Sequence, residues 1–305
     1  MEHQRIKVLV TGASGFVGSH VLYHFNPAQA VGCFHSNTPQ PDGYDYVHID
    51  LQSSDSLTEV FHTIQPTHVI HCAAKSNLDW CEKNPHANHR INAEAPVFMA
   101  SLCKERNVRY LFVSSDMVFD GVKGSYCEDD MPNPLSLYGR AKLAAETGVL
   151  EVNPEAVIAR IALVYGLPVQ KGRGSSFLTW IISRLQQKLE VPLFIDQYRS
   201  PVSVNELTFV LRALLFSDYY GIVHVGGAEK LDRMKFGSYV CRVFHFDEAL
   251  LKPIHLSDME QHAQRPRDLS LSSDRLRTII SYTPADCLAH LKFWAKSSAS
   301  SNDFL

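Results

Sequence analysis

Residues 6 to 19 read IKVLVTGASGFVGS, an apolar run from Ile6 to Val10 that meets three glycines, Gly12, Gly15 and Gly18. A strand that turns into a helix through glycines leaves backbone N–H groups free and points the positive end of the helix dipole at the turn. Both suit an anion, and the absence of side chains lets a phosphate or pyrophosphate come close. The spacing is GxxGxxG, not GxGxxG, and a glycine triplet also serves turns that hold no ligand. Its position after the first strand and at the opening of the first helix is where a dinucleotide-binding fold needs it, so a bound dinucleotide is the expectation.

Outward from this stretch the same rhythm repeats. Strand-length apolar runs IKVLV, AVGCF, YVHI, THVIHCAA, RYLFVSS and AVIARIA alternate with helical segments such as NAEAPVFMASLCKERN and LYGRAKLAAETGVLE. Strands buried on both faces and separated by helices predict an α/β fold, a Rossmann-type doubly wound parallel sheet with right-handed crossovers. That reading assigns residues 1–165 to a dinucleotide-binding domain. Beyond Gly166 the rhythm loosens, and residues 166–293 are expected to form a smaller mixed region with a substrate-binding lobe and returning sheet elements. The polar KSSASSND near the end predicts a flexible tail over 294–305.

Composition narrows the function. The chain has 305 residues, 45% of them hydrophobic, and a formal net charge of -3, so it can bury a sizeable core and carries no bias toward nucleic acid or a membrane surface. No apolar run reaches the length of a membrane span, and the opening MEHQRIKVLV leads into a strand, so the cytoplasm is the expected location. Seven scattered cysteines without a CxxC pair point away from a disulfide framework or a zinc site. His68 and His71 fall on opposite faces of one strand, and His86 and His89 have no acidic or thiolate company, so no metal is expected.

Several side chains carry chemistry. An acid at the end of the second strand would hold an adenosine ribose 2′-hydroxyl, yet CFHSNT (Cys33 to Thr38) supplies none, and no arginine either. That favours NADP(H), with NAD(H) as the alternative. Asp50, at the end of the third strand, suits either the adenine amino group or the N-terminus of the next helix. Tyr138 and Lys142 stand four apart in YGRAK on one helix face, where a lysine ammonium would lower the tyrosine pKa and make it a proton donor. Ser115, at the carboxyl end of YLFVSS, faces the ligand crevice of such sheets and can bond a substrate carbonyl. The basic loop Lys171 to Ser176 reads either as a solvated connection or as a diphosphate holder, and Arg199 and Arg265 have the guanidinium geometry that suits phosphate oxygens.

TGASGFVGS, SSDMVFDG, NPLSLYGRAK and DQYRSP, in this order over nearly the whole chain, resemble the extended short-chain dehydrogenases/reductases, specifically the dTDP-4-dehydrorhamnose reductase subfamily. The resemblance implies a catalytic Ser115, Tyr138 and Lys142. It implies cofactor contacts at Gly12, Ser14, Gly15, Phe16, Val17 and Gly18 in the first turn, and at His35, Ser36, Asp50 and Leu51 toward the adenosine. Ala73, Ala74 and Lys75 complete them, Tyr138 and Lys142 reach the nicotinamide end, and Asn92 matches the helix asparagine that orders the active site. Substrate contacts would be Asp116, Met117, Arg199 and Arg265. The implied activity is NADPH-dependent reduction of a nucleotide-linked 4-keto-sugar, with a homodimer possible. Two alternatives stand beside it: a sugar-nucleotide epimerase or dehydratase, and a non-catalytic regulatory subunit like the methionine adenosyltransferase beta subunit. The chain departs from the subfamily where a tyrosine is usual, at Met117, and where Thr-Ser-Trp is common, at Ile161, Ala162 and Leu163, so the particular hexose is left open.

Overall fold

The computed structural model describes residues 6–37, 39, 42–169, 174–258 and 263–300, without the side chains of 297–300. The first half alternates strand and helix: β1 (Val8–Thr11), α1 (Phe16–Tyr23), β2 (Ala30–Phe34), β3 (Asp45–His48), α2 (Ser54–Ile64) and β4 (His68–His71). Short helices α3 (Leu78–Lys83) and α4 (Pro85–His89) then lead through a π turn, Arg90–Glu94, into α5 (Ala95–Glu105), β5 (Arg109–Ser115), α6 (Leu137–Val152) and β6 (Val157–Ile161). The second half holds β7 (Val164–Tyr165), α7 (Phe177–Gln186), β8 (Val191–Phe194), β9 (Tyr198–Arg199), β10 (Val202–Ser203) and α8 (Val204–Leu215). It closes with β11 (Gly221–Val225), β12 (Leu231–Asp232), α9 (Arg233–Phe244), β13 (Leu251–Ile254), α10 (Asp274–Ile280) and α11 (Cys287–Ser300).

Seven strands form one sheet in the order β11-β6-β5-β4-β1-β2-β3, and every pairing in it is parallel. Alternation along each strand sends side chains to two cores. Val8, Val10, Leu111 and Val113 pack on one face with Leu207 and Leu211 of α8, while Leu9, Val69, Tyr110 and Phe112 pack on the other with Met99 of α5 and Val149 of α6. Each such fully buried aliphatic contributes about 1.5–3 kcal/mol against exposure. The chain leaves β1 toward β2 and β3, then crosses back to β4 on the other side, so β1 and β4 flank the point where the winding reverses. The crevice above their carboxyl ends is where open sheets of this kind bind ligands.

β11 returns to the sheet edge beside β6, and the paired strands β8 and β13 build the second lobe with α7, α9 and α11 around Leu178, Phe236 and Leu291. The expected tail from 294 is corrected in part. α11 continues to Ser300, and Trp294 is 7% exposed against Tyr165, because an apolar face on the preceding turns carries the helix through the serine-rich composition. Residues 301–305 lie outside the described part. Among the described residues no helix is long and apolar enough to cross a membrane.

Candidate active site

A cleft of about 660 Å³ opens above the carboxyl ends of β1, β4 and β5. At one end is the glycine turn. Gly12 has φ +69, and a Cβ there would lie 2.8 Å from the Ala73 backbone; a Cβ on Gly18 would lie 2.2 Å from the Gly12 carbonyl oxygen. These two glycines are therefore required by the close approach of β1, β4 and α1. Gly15 differs, since its Cβ would meet just the Gly12 carbonyl oxygen, at 3.2 Å. Gly15 is the N-cap of α1 and offers no side chain to it, whereas Ser53, Ser136, Ser176 and Ser203 cap α2, α6, α7 and α8. Among the described residues no side chain caps the opening N–H groups of α1, and the turn fits a pyrophosphate.

Every residue that the sequence singles out for cofactor or substrate lines this cleft except Lys142 and Asn92. Asn92 sits beneath it, 1% exposed in the π turn, and its amide accepts from Lys75 N–H (3.0 Å) and donates to the Lys75 carbonyl (2.9 Å) and to Asn88 (2.8 Å). It fixes the β4–α3 connection where Ala73, Ala74 and Lys75 border the cleft. At the far end His35 and Ser36 follow β2, and Asp50 accepts Gln52 N–H at 2.9 Å.

Ser115 ends β5 and starts a short turn: its hydroxyl accepts Met117 N–H (3.2 Å) and donates to Asp116 (3.1 Å). α6 is clamped against that turn. Ser136 caps it through Gly139 N–H (3.1 Å), Glu82 accepts Leu137 N–H (2.8 Å), and Asn88 donates to the Leu137 carbonyl (3.0 Å). A Cβ on Gly139 would lie 2.2 Å from the Met117 carbonyl oxygen, so the glycine of YGRAK is what lets α6 press the Tyr138 side chain beside Ser115. Tyr138 is 7% exposed and lines the same cleft as Ser115.

The electrostatics here correct the expectation of a tyrosine lowered by its lysine. Burial raises the Tyr138 pKa well above that of a free phenol, the Asp116 charge raises it further, and the nearby Ser115 hydroxyl pulls less strongly the other way. Lys142 is 1% exposed, donates to the Val113 carbonyl at 2.7 Å and lies 3.9 Å above the Phe112 ring. Burial brings its pKa down to about 7, against the opposing pull of Glu146. One helical turn on, Glu146 takes Arg160 in a buried two-pronged pair (2.7 and 3.1 Å) and a 2.5 Å bond from Ser114.

Beside Asp116 the cleft lining is cationic. Arg199, 5% exposed, pairs with Asp116 at 3.5 Å and donates to the Tyr198 carbonyl at 2.6 Å. Arg265 reaches Asp79 at 3.7 Å. The sequence reading missed two residues here, Gln197 and Arg233. The Arg233 guanidinium lies 4.6 Å from the Phe177 ring centre and donates through Nε to Gln197 (2.9 Å), while its buried Nη1 has no hydrogen-bond partner among the described residues. Burial, and then the neighbouring Arg199 charge, bring the Arg233 pKa down to about 9. Gln197 stood inside DQYRSP and was legible there, but Arg233 follows an ordinary Asp232 N-cap and has no motif of its own. Of the basic loop, Lys171 and Arg173 lie outside the described residues. Its next residue, Gly174, has φ +70, and a Cβ there would lie 2.7 Å from Phe16 N, so the loop ends against the first turn of α1.

Comparison with known proteins places this geometry in context. The family model described as RmlD substrate binding domain matches residues 6–298. The chain is 33% identical over 261 residues to a probable low-salt glycan biosynthesis reductase, Agl14, of Haloferax volcanii, covering 85% of this chain and 87% of that one. It is 32% identical over 282 residues to methionine adenosyltransferase 2 subunit beta of Bos taurus, covering 90% and 82%. Its fold matches that of a dTDP-4-dehydrorhamnose reductase from Bacillus anthracis, solved in complex with NADP, with a TM-score of 0.84, 23% identity, and coverage of 96% of this chain and 100% of the other.

Proposed function

The chain belongs to the RmlD substrate binding domain family, and on that premise we propose that it is an oxidoreductase reducing the ketone of a nucleotide-linked 4-keto-sugar with NADPH. The observation that carries this is that Ser115 and Tyr138 line the wall of the same cleft that begins at the uncapped turn of α1. Gly12, Gly15 and Gly18 with the first N–H groups of α1 hold the pyrophosphate, and Ala73 to Lys75 border the dinucleotide midway. The bound nicotinamide supplies a hydride. Ser115 and Tyr138 both donate toward the substrate carbonyl oxygen, which fixes its orientation and stabilises the negative charge as it develops. Tyr138 gives up its proton there, and its raised pKa keeps it protonated and ready at neutral pH. We assign Lys142, one turn along α6, to the nicotinamide ribose. The substrate diphosphate lies along Arg199, Arg233 and Arg265, where the unpartnered Arg233 Nη1 awaits an anion.

Dehydration of a hexose needs a second acid after the catalytic serine, and Met117 can neither give nor take that proton. NADPH is preferred over NADH in this reading because no described residue directly after β2 is acidic. The similarity to methionine adenosyltransferase 2 subunit beta favours a second reading, a regulatory subunit that uses the cleft for binding alone. A screen of 4-keto-sugar nucleotides with NADPH decides between them. Turnover lost in Tyr138→Phe supports the reductase; no turnover with any keto-sugar nucleotide, together with tight binding to a methionine adenosyltransferase catalytic subunit, supports the regulatory reading.

A further inference from the structure

Where α6 packs on β5 and β6, three charged side chains are shut away from solvent together: Lys142 and Glu146 on α6 and Arg160 on β6, each no more than 2% exposed. Phe112 and Ile158 belong to the core shared with Val149 of α6, and the next residues but one along the two strands, Ser114 and Arg160, point the same way and pair in the β5–β6 register. Glu146 meets both. Arg160 donates to it through Nη2 at 2.7 Å and through Nε at 3.1 Å, and the Ser114 hydroxyl donates at 2.5 Å. A buried ion pair is often no more stabilising than apolar residues of the same volume, so packing alone gives no reason for a carboxylate here. Its place does: Ser114 directly precedes Ser115, and Lys142 lies one turn before Glu146 on the same helix face.

We propose that Glu146 is a positioning residue of the catalytic site, which ties β5 behind Ser115 and β6 beside it to α6 and lends its negative charge to Lys142. This rests on the reductase reading above, in which Lys142 serves the cofactor ribose as a charged donor. The other groups around the ammonium do not supply that charge. From β5 come the Val113 carbonyl and the Phe112 ring. From β4 and its end come His71 and Cys72; burial brings the one down to about 3 and pushes the other up to about 12, so both are neutral around neutral pH. Tyr138, on α6, is neutral as well, since burial raises its pKa. Arg160 is a cation already held by Glu146. One carboxylate therefore serves two buried cations, and without it Lys142 gives up its proton at a lower pH. A carboxylate that merely packed β6 against α6 would leave that pH unchanged.

The test follows the Lys142 side chain by NMR in the full chain carrying isotope-labelled lysine, its resonance assigned by its loss in Lys142→Met. The wild type is expected to titrate at about 7, and Glu146→Gln about one pH unit or more lower. With NADPH and the keto-sugar nucleotide, the alkaline limb of kcat should move down in step. At a pH above both limbs kcat then falls about tenfold, while KM for the sugar nucleotide stays within about twofold. Glu146→Gln leaves Arg160 buried without its partner, so Glu146→Leu/Arg160→Met removes the pair together and should keep the fold. It should show the same downward shift of Lys142. An unmoved Lys142 titration in either folded variant, or a fall in kcat with the pH profile in place, overturns the proposal, as does loss of the folded state in both. A wild type that turns over no keto-sugar nucleotide overturns the reductase reading, and the Lys142 titration, which needs no substrate, still upholds or refutes the shared charge.

Discussion

Gly15→Ala separates the role of a glycine in holding a ligand from its role in the fold. Gly15 has φ -89 and ψ 174, extended backbone that alanine adopts without strain, and its Cβ would touch a single carbonyl oxygen at 3.2 Å. Alanine is a poorer N-cap than glycine, but it also restricts the unfolded chain, and these opposed effects should leave stability within about 1 kcal/mol of the wild type. Gly18→Ala is the contrast, because its Cβ would sit 2.2 Å from the Gly12 carbonyl oxygen and 2.6 Å from its carbon, where backbone cannot yield. That variant should lose about 1–3 kcal/mol or more. On the proposed reading, the methyl of Gly15→Ala crowds the pyrophosphate against the α1 N–H groups. Each charge-assisted hydrogen bond it lengthens is worth about 1.5–3 kcal/mol, or about tenfold to a hundredfold in NADPH affinity. Urea unfolding reads the first quantity and NADPH fluorescence titration the second. NADPH affinity within about twofold of the wild type would refute the assignment of this turn to the pyrophosphate, and a loss of stability like that of Gly18→Ala would make Gly15 structural.

Tyr138→Phe should lower turnover by about 100-fold or more while NADPH affinity stays within a few-fold, as stopped-flow single turnovers would show. Arg233→Gln should raise KM for the sugar nucleotide by about tenfold and leave the NADPH dissociation constant unchanged, measured by steady-state kinetics and titration. Lys142 predicts a pH effect on stability: its pKa is about 7 in the folded protein against 10.5 for a free lysine, so between these the unfolded chain binds more protons and stability rises with pH. The penalty is complete below about pH 7 and gone above about pH 10.5. Lys142→Met should therefore gain stability relative to wild type at neutral pH, by up to about 1.4 kcal/mol for each pH unit of that window, and the gap should close by about pH 10 in chemical denaturation. A gap that does not change with pH would contradict the buried, weakened ammonium.

The parallel sheet was legible because the apolar runs that form β1, β2, β4, β5 and β6 are buried almost throughout, while YVHI makes the partly exposed edge strand β3. The glycine turn was legible because close approach excludes side chains and leaves its mark on the residues themselves. Asn92, by contrast, acts through a π turn that brings its amide under Lys75, which no helical periodicity encodes. Arg233 reaches the cleft by lobe packing over Phe177 from a helix far along the chain. The direction of the Tyr138 pKa depends on its burial and on Asp116, both set by the clamp on α6, so the i,i+4 spacing to Lys142 pointed the wrong way. The C-terminal serines obscured Leu291 and Trp294, whose packing extends α11.

The central claim is net hydride transfer from cofactor to a keto-sugar, and its most direct test is a reaction with NADPH carrying deuterium at the transferred position of the nicotinamide. The product nucleotide sugar is analysed by mass spectrometry and NMR alongside the loss of NADPH absorbance. The account predicts one NADPH consumed for each product formed, with the deuterium on the former carbonyl carbon of the sugar. Product formed without net NADPH consumption and with the label kept on the cofactor would contradict it.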